Sequence, residues 1–579
     1  MEAGREAEAL RALASEIERI RRFGFTDAEI DFMRERWKRW IPLAHDRYLN
    51  GAKRNHVYEL AEFVRYGIPL PSRVVLEKAL SETLASLDGK SLHSYARELL
   101  ALDGASAFLG LKDDFSGADY SPASVLSPFA PGTITVEAYE DYVVDPSSLA
   151  MDRSEALPFD ARALTDSVTE LNLRNGARVL LMPSFLEKDV VRFLAIAPCG
   201  LAALQPAERA LAGLLGEMGL ASGAAGMDAI SLGDYMERSG MELGFGMGPG
   251  SRWIEGRSGD DELAAFLGIV AALSSSSGPD RAAYDTALRR ALIEARLEGG
   301  VPALRFTNEC YRHVYPERLE APPAWEAPLE SLNFDSFASL MSKAFSSASG
   351  FSYILVGDFL LDETINLAAG ILGSIAPGEE PGEKPIFAMP ALRREGPTRK
   401  DFHLNDEDAA VVRMSWALPR GIDEGAAAGA VLLPYLLKEA LFDELRGKLA
   451  ATYTVSLSTE SFEGGFELVA TLMCAPQETD RVLESMEAVA DAFVRGAPGE
   501  RYSGHAALYA QQSGRERFSS NLIWIRSIRA ALEAELDMGA LFEAEWADAK
   551  TAFEAALCLA RELLIPANRA SCVLLPMLD

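Results

Sequence analysis

Several features that define common classes of protein are scarce in this chain of 579 residues. Its five cysteines are too few and too scattered for a disulfide framework, and they include no C-x-x-C pair, which argues against a zinc knuckle and a thioredoxin-type site. It has no apolar run of the ~20 residues that a membrane span needs. Basic residues are outnumbered, with 56 Lys and Arg against 86 Asp and Glu, so the net charge is −30. This balance disfavours nucleic acid and anionic membranes as partners, since both attract basic patches.

Motifs of catalysis and of nucleotide binding are missing as well. No two of the six histidines are four residues apart, so no helix can present the His pair of a zinc hydrolase. There is no G-x-S-x-G elbow and no Walker-type Gly-Lys-Ser/Thr. The Gly-rich stretch Gly244–Gly250 lacks the G-x-G-x-x-G spacing and continues as a strand, so we interpret it as a hairpin. The residues alone therefore indicate no catalytic centre.

The first hundred residues have the apolar spacing of amphipathic helices. Thr26 and Glu29 form a T-x-x-E capping box, which predicts a helix start. The following stretch, to about Asp160, is rich in Gly, Pro, Ser and Asp and predicts loops with one or two short strands. Charged residues stand at the N-terminus where a signal peptide needs an apolar core. As written, the chain is therefore expected in the cytosol, or in the periplasm if it is part of a longer secreted protein.

An internal repeat organises the rest of the chain. Val190-Val191-Arg192, followed by Pro198-x-Gly200, recurs 221 positions later as Val411-Val412-Arg413 with Pro419-x-Gly421. In each copy a predicted strand ends in Pro-x-Gly and leads into a helix rich in Ala and Leu. Asn175-Gly176 adds a strong hairpin signal before the first copy. We therefore predict two related α+β domains behind a mostly helical N-terminal piece, with boundaries at 1–160, 161–376 and 385–579.

One segment, Leu441–Val455, stands out from the second copy. A helix is predicted to end around Arg446 and a strand to begin at Tyr453, which places both side chains at one corner. The segment resembles the F-x-x-L-R-x-K-x-x-x-x-Y-x-V signature in the C-terminal half of the pitrilysin (insulinase-type, inverzincin) zinc metallopeptidases. Two further stretches resemble the same family: Leu171–Val179 is similar to the strand-turn-strand that opens each family domain, and Ile17–Glu29 to the middle of the second domain.

This resemblance implies tandem family domains, each a mainly antiparallel sheet with helices packed on it. It implies that residues 1–160 are a partial second domain, that 161–376 are domain three, and that 385–579 are domain four. Domains three and four are non-catalytic in the family. In its C-terminal half an Arg and a Tyr seven residues apart reach the substrate backbone, which implies a substrate-binding pair formed by Arg446 and Tyr453.

The zinc motif of the family, H-x-x-E-H, is absent from both copies of the repeat. In its place the first copy has Gly213–Met218, and the second has Pro434, Leu437 and Lys438. The resemblance therefore implies no metal ligand and no catalytic residue in this chain. Zinc is expected only in a partner half, and the chain alone is predicted to be inactive.

Two functions remain open at this point. In the first, the chain is the non-catalytic C-terminal half or subunit of a pitrilysin-type peptidase, which binds peptide substrates and completes the active site of a zinc-bearing half. In the second, it is a zinc-free homologue that acts as a binding or scaffold subunit without proteolysis. A third possibility, a hydrolase with a different catalytic centre, is supported by no identifiable catalytic residue. A neighbouring reading frame with H-x-x-E-H would favour the first.

Overall fold

The computed structural model divides the chain into two compact units, Met1–Val144 and Asp145–Asp579. It describes residues 6–50, 53–69, 72–101, 126–130, 132–139, 159–204, 206–221, 223–248, 250–275, 280–316, 332–378, 394–419, 421–422, 424–452, 454–462, 465–496, 502–506, 508–509, 520–533 and 549–578. Within these ranges, no helix is long and apolar enough to cross a membrane.

The first unit is helical. The predicted capping box is confirmed, because the Thr26 backbone N–H donates to Glu29 Oε2 at 2.8 Å and the Glu29 N–H donates to Thr26 Oγ1 at 3.2 Å. These bonds satisfy two of the free N–H groups at a helix start. The helices are α1 (Glu6–Phe23), α2 (Asp27–Asn50), α3 (Lys53–Tyr66), α4 (Arg73–Ser86) and α5 (Gly89–Leu99).

The second unit contains two sheets, and the first of them has seven strands. The spatial order of these strands is β1-β2-β3-β7-β4-β6-β5. The turn between β2 and β3 is the predicted Asn175-Gly176 hairpin, in which Gly176 has a φ of 84° that favours glycine. The strands are β1 (Phe159–Ala163), β2 (Thr169–Leu173), β3 (Arg178–Pro183), β4 (Val191–Pro198), β5 (Glu242–Met247), β6 (Ser251–Ser258) and β7 (Ser352–Gly357).

Helices separate the strands of this part of the chain. They are α6 (Pro206–Ala212), α7 (Leu215–Met218), α8 (Ala229–Arg238), α9 (Leu263–Ser275), α10 (Arg281–Glu298), α11 (Pro302–Val314), α12 (Phe334–Phe345) and α13 (Leu361–Gly373). One face of the first sheet packs on helix α9, where the rings of Phe193 and Phe266 meet edge to face with centroids 5.3 Å apart.

The second sheet has five strands in the order β10-β11-β9-β12-β8. Its core joins one face of the sheet to three helices, α14, α15 and α17, through residues such as Trp416, Leu437, Met486 and Leu559. The elements are β8 (Thr398–Asn405), β9 (Ala410–Leu418), α14 (Glu424–Phe442), β10 (Val455–Phe462), β11 (Gly465–Cys474), α15 (Thr479–Val494), α16 (Asn521–Glu533), α17 (Ala549–Leu563) and β12 (Arg569–Pro576).

The two sheets repeat one topology. In the first, β3 runs parallel to β7, while β7-β4-β6-β5 are successive antiparallel neighbours. In the second, β8 runs parallel to β12, while β12-β9-β11-β10 are antiparallel in the same way. The repeated Val-Val-Arg motif lies at the start of β4 and on β9, and these two strands occupy equivalent positions in their sheets. The α+β class with mainly antiparallel sheets is confirmed.

Each sheet receives a helix from the other copy of the repeat. Helix α16 follows the second sheet's β11 in the chain, yet its Trp524 and Ile528 pack against Leu194 and Ile354 of the first sheet. Helix α11 precedes β7 in the chain, yet it packs on the second sheet. There its Phe306 and Cys310 contact residues of β8 and β12, namely Phe402, Cys572 and Leu574. We refer to α11 and α16 as the exchanged helices.

The arginine of each Val-Val-Arg motif supports an exchanged helix. On β4, Arg192 pairs with Glu187 at 2.9 Å, and Glu187 Oε1 accepts from Ser520 Oγ and from the Asn521 N–H at the start of α16. On β9, the Arg413 guanidinium carbon lies 4.9 Å from the ring centroid of Tyr311 on α11. The repeated arginine therefore has a structural role in both copies.

The Gly-rich stretch forms the β5–β6 hairpin, as predicted. A Cβ atom on Gly246 would lie 2.3–2.6 Å from the Trp253 ring, whereas a Cβ on Gly244 would meet nothing within 4 Å. Glycine at position 246 thus leaves room for the indole on the neighbouring strand. The missing side chain of Gly246 therefore serves packing, and the described residues of the stretch contain no helix start that would receive a phosphate.

Candidate functional site

The candidate site is the corner between α14 and β10. After Phe442 the chain continues in a π-helix, Asp443–Lys448, and the Leu449 N–H donates to Glu444 O at 3.1 Å. Ala450 then adopts a φ of 50°, and the Ala451 N–H donates to Leu445 O at 2.9 Å. Helical structure therefore reaches Lys448, beyond the predicted end around Arg446. The sequence prediction stopped short because a π-helical turn has no characteristic residue pattern.

Arg446 is exposed on this π-helix. Its neighbour Leu445 is fully buried in the core of the second sheet and fixes the backbone of the turn. The guanidinium carbon of Arg446 lies 5.0 Å from the ring centroid of Phe442, one turn earlier. A buried leucine thus holds the segment in place while the adjacent arginine is presented at the surface.

A second contact fixes the start of the π-helix. Tyr502 Oη donates to Asp443 Oδ2 at 3.2 Å, and the Tyr502 ring packs edge to face with His505 at a centroid distance of 6.0 Å. Sequence reasoning missed this contact, because 59 positions separate the tyrosine from the aspartate. Asp443 is at a variable position of the signature, and Tyr502 belongs to no motif of the sequence analysis.

Tyr453, the other residue of the predicted pair, lies outside the described residues. On either side of it, Thr452 Oγ1 donates to the Thr454 carbonyl at 3.0 Å, and β10 begins at Val455 rather than at Tyr453. The joint action of Arg446 and Tyr453 on a substrate therefore stays a prediction.

The helices at the zinc-motif positions do not fit a metal. In the first copy these positions are Gly213, Gly216 and Glu217, so the histidine pair of a zinc site is replaced by one glycine and one carboxylate. In the second copy Leu437 is fully buried and Lys438 is exposed, and neither offers a ligand that zinc prefers. In the described ranges as a whole, no three His, Cys, Asp or Glu residues converge as a metal site would require.

These features define a class: a tandem of two α+β domains with equivalent sheet topology, in whose described residues no metal site is formed. Residues 331–501 match the family model described as the peptidase M16 inactive domain, a range that contains Arg446. None of the curated proteins compared with the chain matches it. The predicted resemblance to the pitrilysin-type peptidases is confirmed, because this part of the chain matches the M16 inactive domain.

Solved structures of such peptidases share the fold. The periplasmic protease PqqL from Escherichia coli has a TM-score of 0.64 and 17% identity over 98% of this chain and 63% of PqqL. A mutant of the ferredoxin protease FusC, solved in complex with Arabidopsis ferredoxin, has a TM-score of 0.62 and 16% identity; the match covers 99% of this chain and 64% of FusC. Pitrilysin has a TM-score of 0.54 and 15% identity, and the match covers 72% of this chain and 47% of pitrilysin. The chain thus spans less than two thirds of each of these proteins.

Proposed function

We propose that this chain is the non-catalytic portion of a pitrilysin-type zinc peptidase, which binds peptide and completes the active site of a zinc-bearing half. The observation that carries the proposal is the exposed Arg446 on a fixed corner inside the matched M16 inactive domain. The zinc-motif positions support a division of labour, because neither copy has a histidine there. The names of PqqL and FusC as proteases agree with it.

In this proposal Arg446 and Tyr453 bind the peptide backbone. A guanidinium offers only N–H donors and a phenol offers an O–H donor, so both suit a peptide carbonyl oxygen. Donors aimed at that oxygen stabilise the charge that develops on it in the transition state of hydrolysis. The metal and the base that activates water belong to the partner half.

The proposal includes the assignment of the domains. Residues 161–376, which contain the first sheet, would be family domain three, and residues 385–579, which contain the second, would be domain four. The helical residues 1–160 would be part of domain two. The seven-stranded and five-stranded sheets with their exchanged helices support the middle and last assignments.

Reconstitution tests the proposal. A zinc-bearing half, found by its H-x-x-E-H motif in a neighbouring reading frame, is purified separately and mixed with this chain. A fluorogenic, unstructured peptide is added, and cleavage is followed together with complex formation by gel filtration. We expect cleavage only in the mixture. A complex that forms and binds the peptide without cleaving it would contradict the proposal and support the scaffold alternative.

A further inference from the structure

A polar groove of about 350 Å³ lies on the second sheet, between its edge strand β8, the adjacent β12 and helix α15. It opens on the face of the sheet opposite to exchanged helix α11. Ser571 points to the groove, whereas its neighbours Ala570 and Cys572 pack on the α11 side. Its polar lining comes from Thr398, Arg399, Asp480, Glu484, Glu487, Arg569 and Ser571.

Both arginines of the groove are already engaged. Arg399 pairs with Asp480 at 2.6 Å and with Asp401 at 2.9 Å, and the hydrogen bond to Asp401 is the main reason why the pKa of Arg399 is raised. Arg569 pairs with Glu487 at 3.0 Å. An anion entering the groove would have to displace one of these carboxylates, so the groove is not suited to anions.

Between the two ion pairs the groove has unsatisfied acceptors. Asp480, Glu484 and Glu487 are spaced four and three residues apart, so they lie along one face of α15. Glu484, in the middle, is exposed and forms no ion pair with any other residue of the described ranges. Ser571, which is only 4% exposed, lines the groove as well, and the lining atom Thr398 Oγ1 is buried without a hydrogen-bond partner among those same residues. A buried hydroxyl of this kind is unfavourable until a ligand or water pairs with it.

The charge of the groove selects its ligand. Its lining contains two arginines and the three carboxylates of Asp480, Glu484 and Glu487, which leaves an excess of one negative charge. We propose that this groove binds the guanidinium group of an arginine side chain presented by another polypeptide. A guanidinium is more weakly hydrated than an ammonium, and its planar donors can reach the Glu484 carboxylate and the Thr398 hydroxyl together. This inference is independent of the proposed peptidase function.

Saturation-transfer NMR on the full chain tests the groove with a blocked arginine, N-acetyl-arginine amide. The uncharged isostere N-acetyl-citrulline amide is the matched probe. We expect saturable transfer to the arginine probe, weaker at high salt, and at least about tenfold weaker binding of the citrulline probe. Glu484→Gln should weaken arginine binding by a similar factor, and Thr398→Val by a smaller one.

Asp491→Asn is the control, because Asp491 is exposed on the same helix but does not line the groove. It should leave binding unchanged, with the folding of every variant verified by a circular-dichroism melt. Equal transfer to the arginine and citrulline probes would overturn the inference. So would full binding by Glu484→Gln, or a loss with Asp491→Asn as large as that with Glu484→Gln, which would mean attraction to surface charge in general.

Discussion

The guanidinium carbon of Arg529 lies 3.7 Å from the centroid of the Trp253 ring. Arg529 belongs to exchanged helix α16, and Trp253 to β6 of the first sheet, so the stack joins the two copies of the repeat. One turn further along α16, Glu533 Oε1 accepts from Ser251 Oγ at 2.8 Å and from Arg529 Nε at 3.1 Å. Because Gly246 has no side chain, the indole has room beside β5. A glycine, a tryptophan and an arginine thus form one contact across the repeat.

Arg529→Ala removes the cation from the Trp253 ring and the partner from Glu533. We expect a loss of about 0.5–2 kcal/mol in the free energy of unfolding, since stacking of a cation on an aromatic ring contributes about that much. Arg526→Ala, at an exposed position of the same helix, should change it by less than about 0.5 kcal/mol. Urea unfolding followed by tryptophan fluorescence measures both; equal losses would contradict the contribution of the stack.

Gly246→Ala introduces a Cβ atom 2.3 Å from the nearest atom of the Trp253 ring. Relief of this clash requires the indole to shift, so we expect a loss of about 1–3 kcal/mol in stability. Gly244→Ala, two residues earlier on the same strand, meets open space and should be neutral or slightly stabilising. Thermal unfolding of the two variants decides. An unchanged melting temperature for Gly246→Ala would refute the packing role of that glycine.

Glu187 makes stability depend on pH. Burial by itself would raise the pKa of this carboxyl group, but hydrogen bonds and charge from Arg192, with Ser520 and the Asn521 N–H, hold the pKa below its ordinary value. The folded state therefore binds this proton less readily than the unfolded state. The stabilisation is fully present above the ordinary value of about 4.3 and is lost as the pH falls through the lowered folded value.

Glu187→Gln should accordingly be less stable than the parent at pH 7, with the difference shrinking as the pH falls below about 4. Urea midpoints at several pH values measure the effect. Glu554→Gln, at a solvent-exposed position of α17, should parallel the parent across the range. A difference between Glu187→Gln and the parent that is the same at pH 3 and pH 7 would contradict the role of ionised Glu187.

Tyr453→Phe should lower the turnover of the reconstituted peptidase by about 10²–10³ if its hydroxyl contacts the developing oxyanion, since removal of one such donor has that effect. Arg446→Ala should reduce turnover as well, with a stability loss of roughly 0.3–1 kcal/mol from the missing cation near a helix C-terminus. Arg481→Ala, an exposed arginine on α15, is the matched control and should retain activity. If both site variants assemble and stay fully active, the pair is structural.

The sequence predicted correctly those features that depend on interactions between residues close together in the chain. The capping box at Thr26 depends on residues three apart, and the turn at Gly176 depends on one backbone angle. The repeat predicted related units because β4 and β9 are central strands with continuous apolar character, which is typical of buried strands.

The sequence did not reveal strands β8 and β12 or helices α11 and α12. Strand β8 is at the sheet edge, and its exposed Arg399, Lys400 and Asp401 hide the apolar alternation that marks a strand.

The packing position of α11 could not be predicted from the sequence for another reason. Its apolar face predicts burial but not which sheet receives it, and that sheet is formed by residues about a hundred positions or more away. The groove beside β8 was missed together with its strand.

The exchanged helices have a consequence for how the chain can be divided. Cleavage of the chain within residues 379–393 would separate the two sheets. The N-terminal fragment would keep α11, which packs on the second sheet, and the C-terminal fragment would keep α16, which packs on the first. The first fragment would have α11 without its sheet and a first sheet without α16, so both would expose apolar surface. The two fragments should therefore behave as a split protein, poorly folded apart and complementary when mixed. The same reasoning makes a boundary at residue 501, where the family match ends, unsuitable for isolating a stable domain.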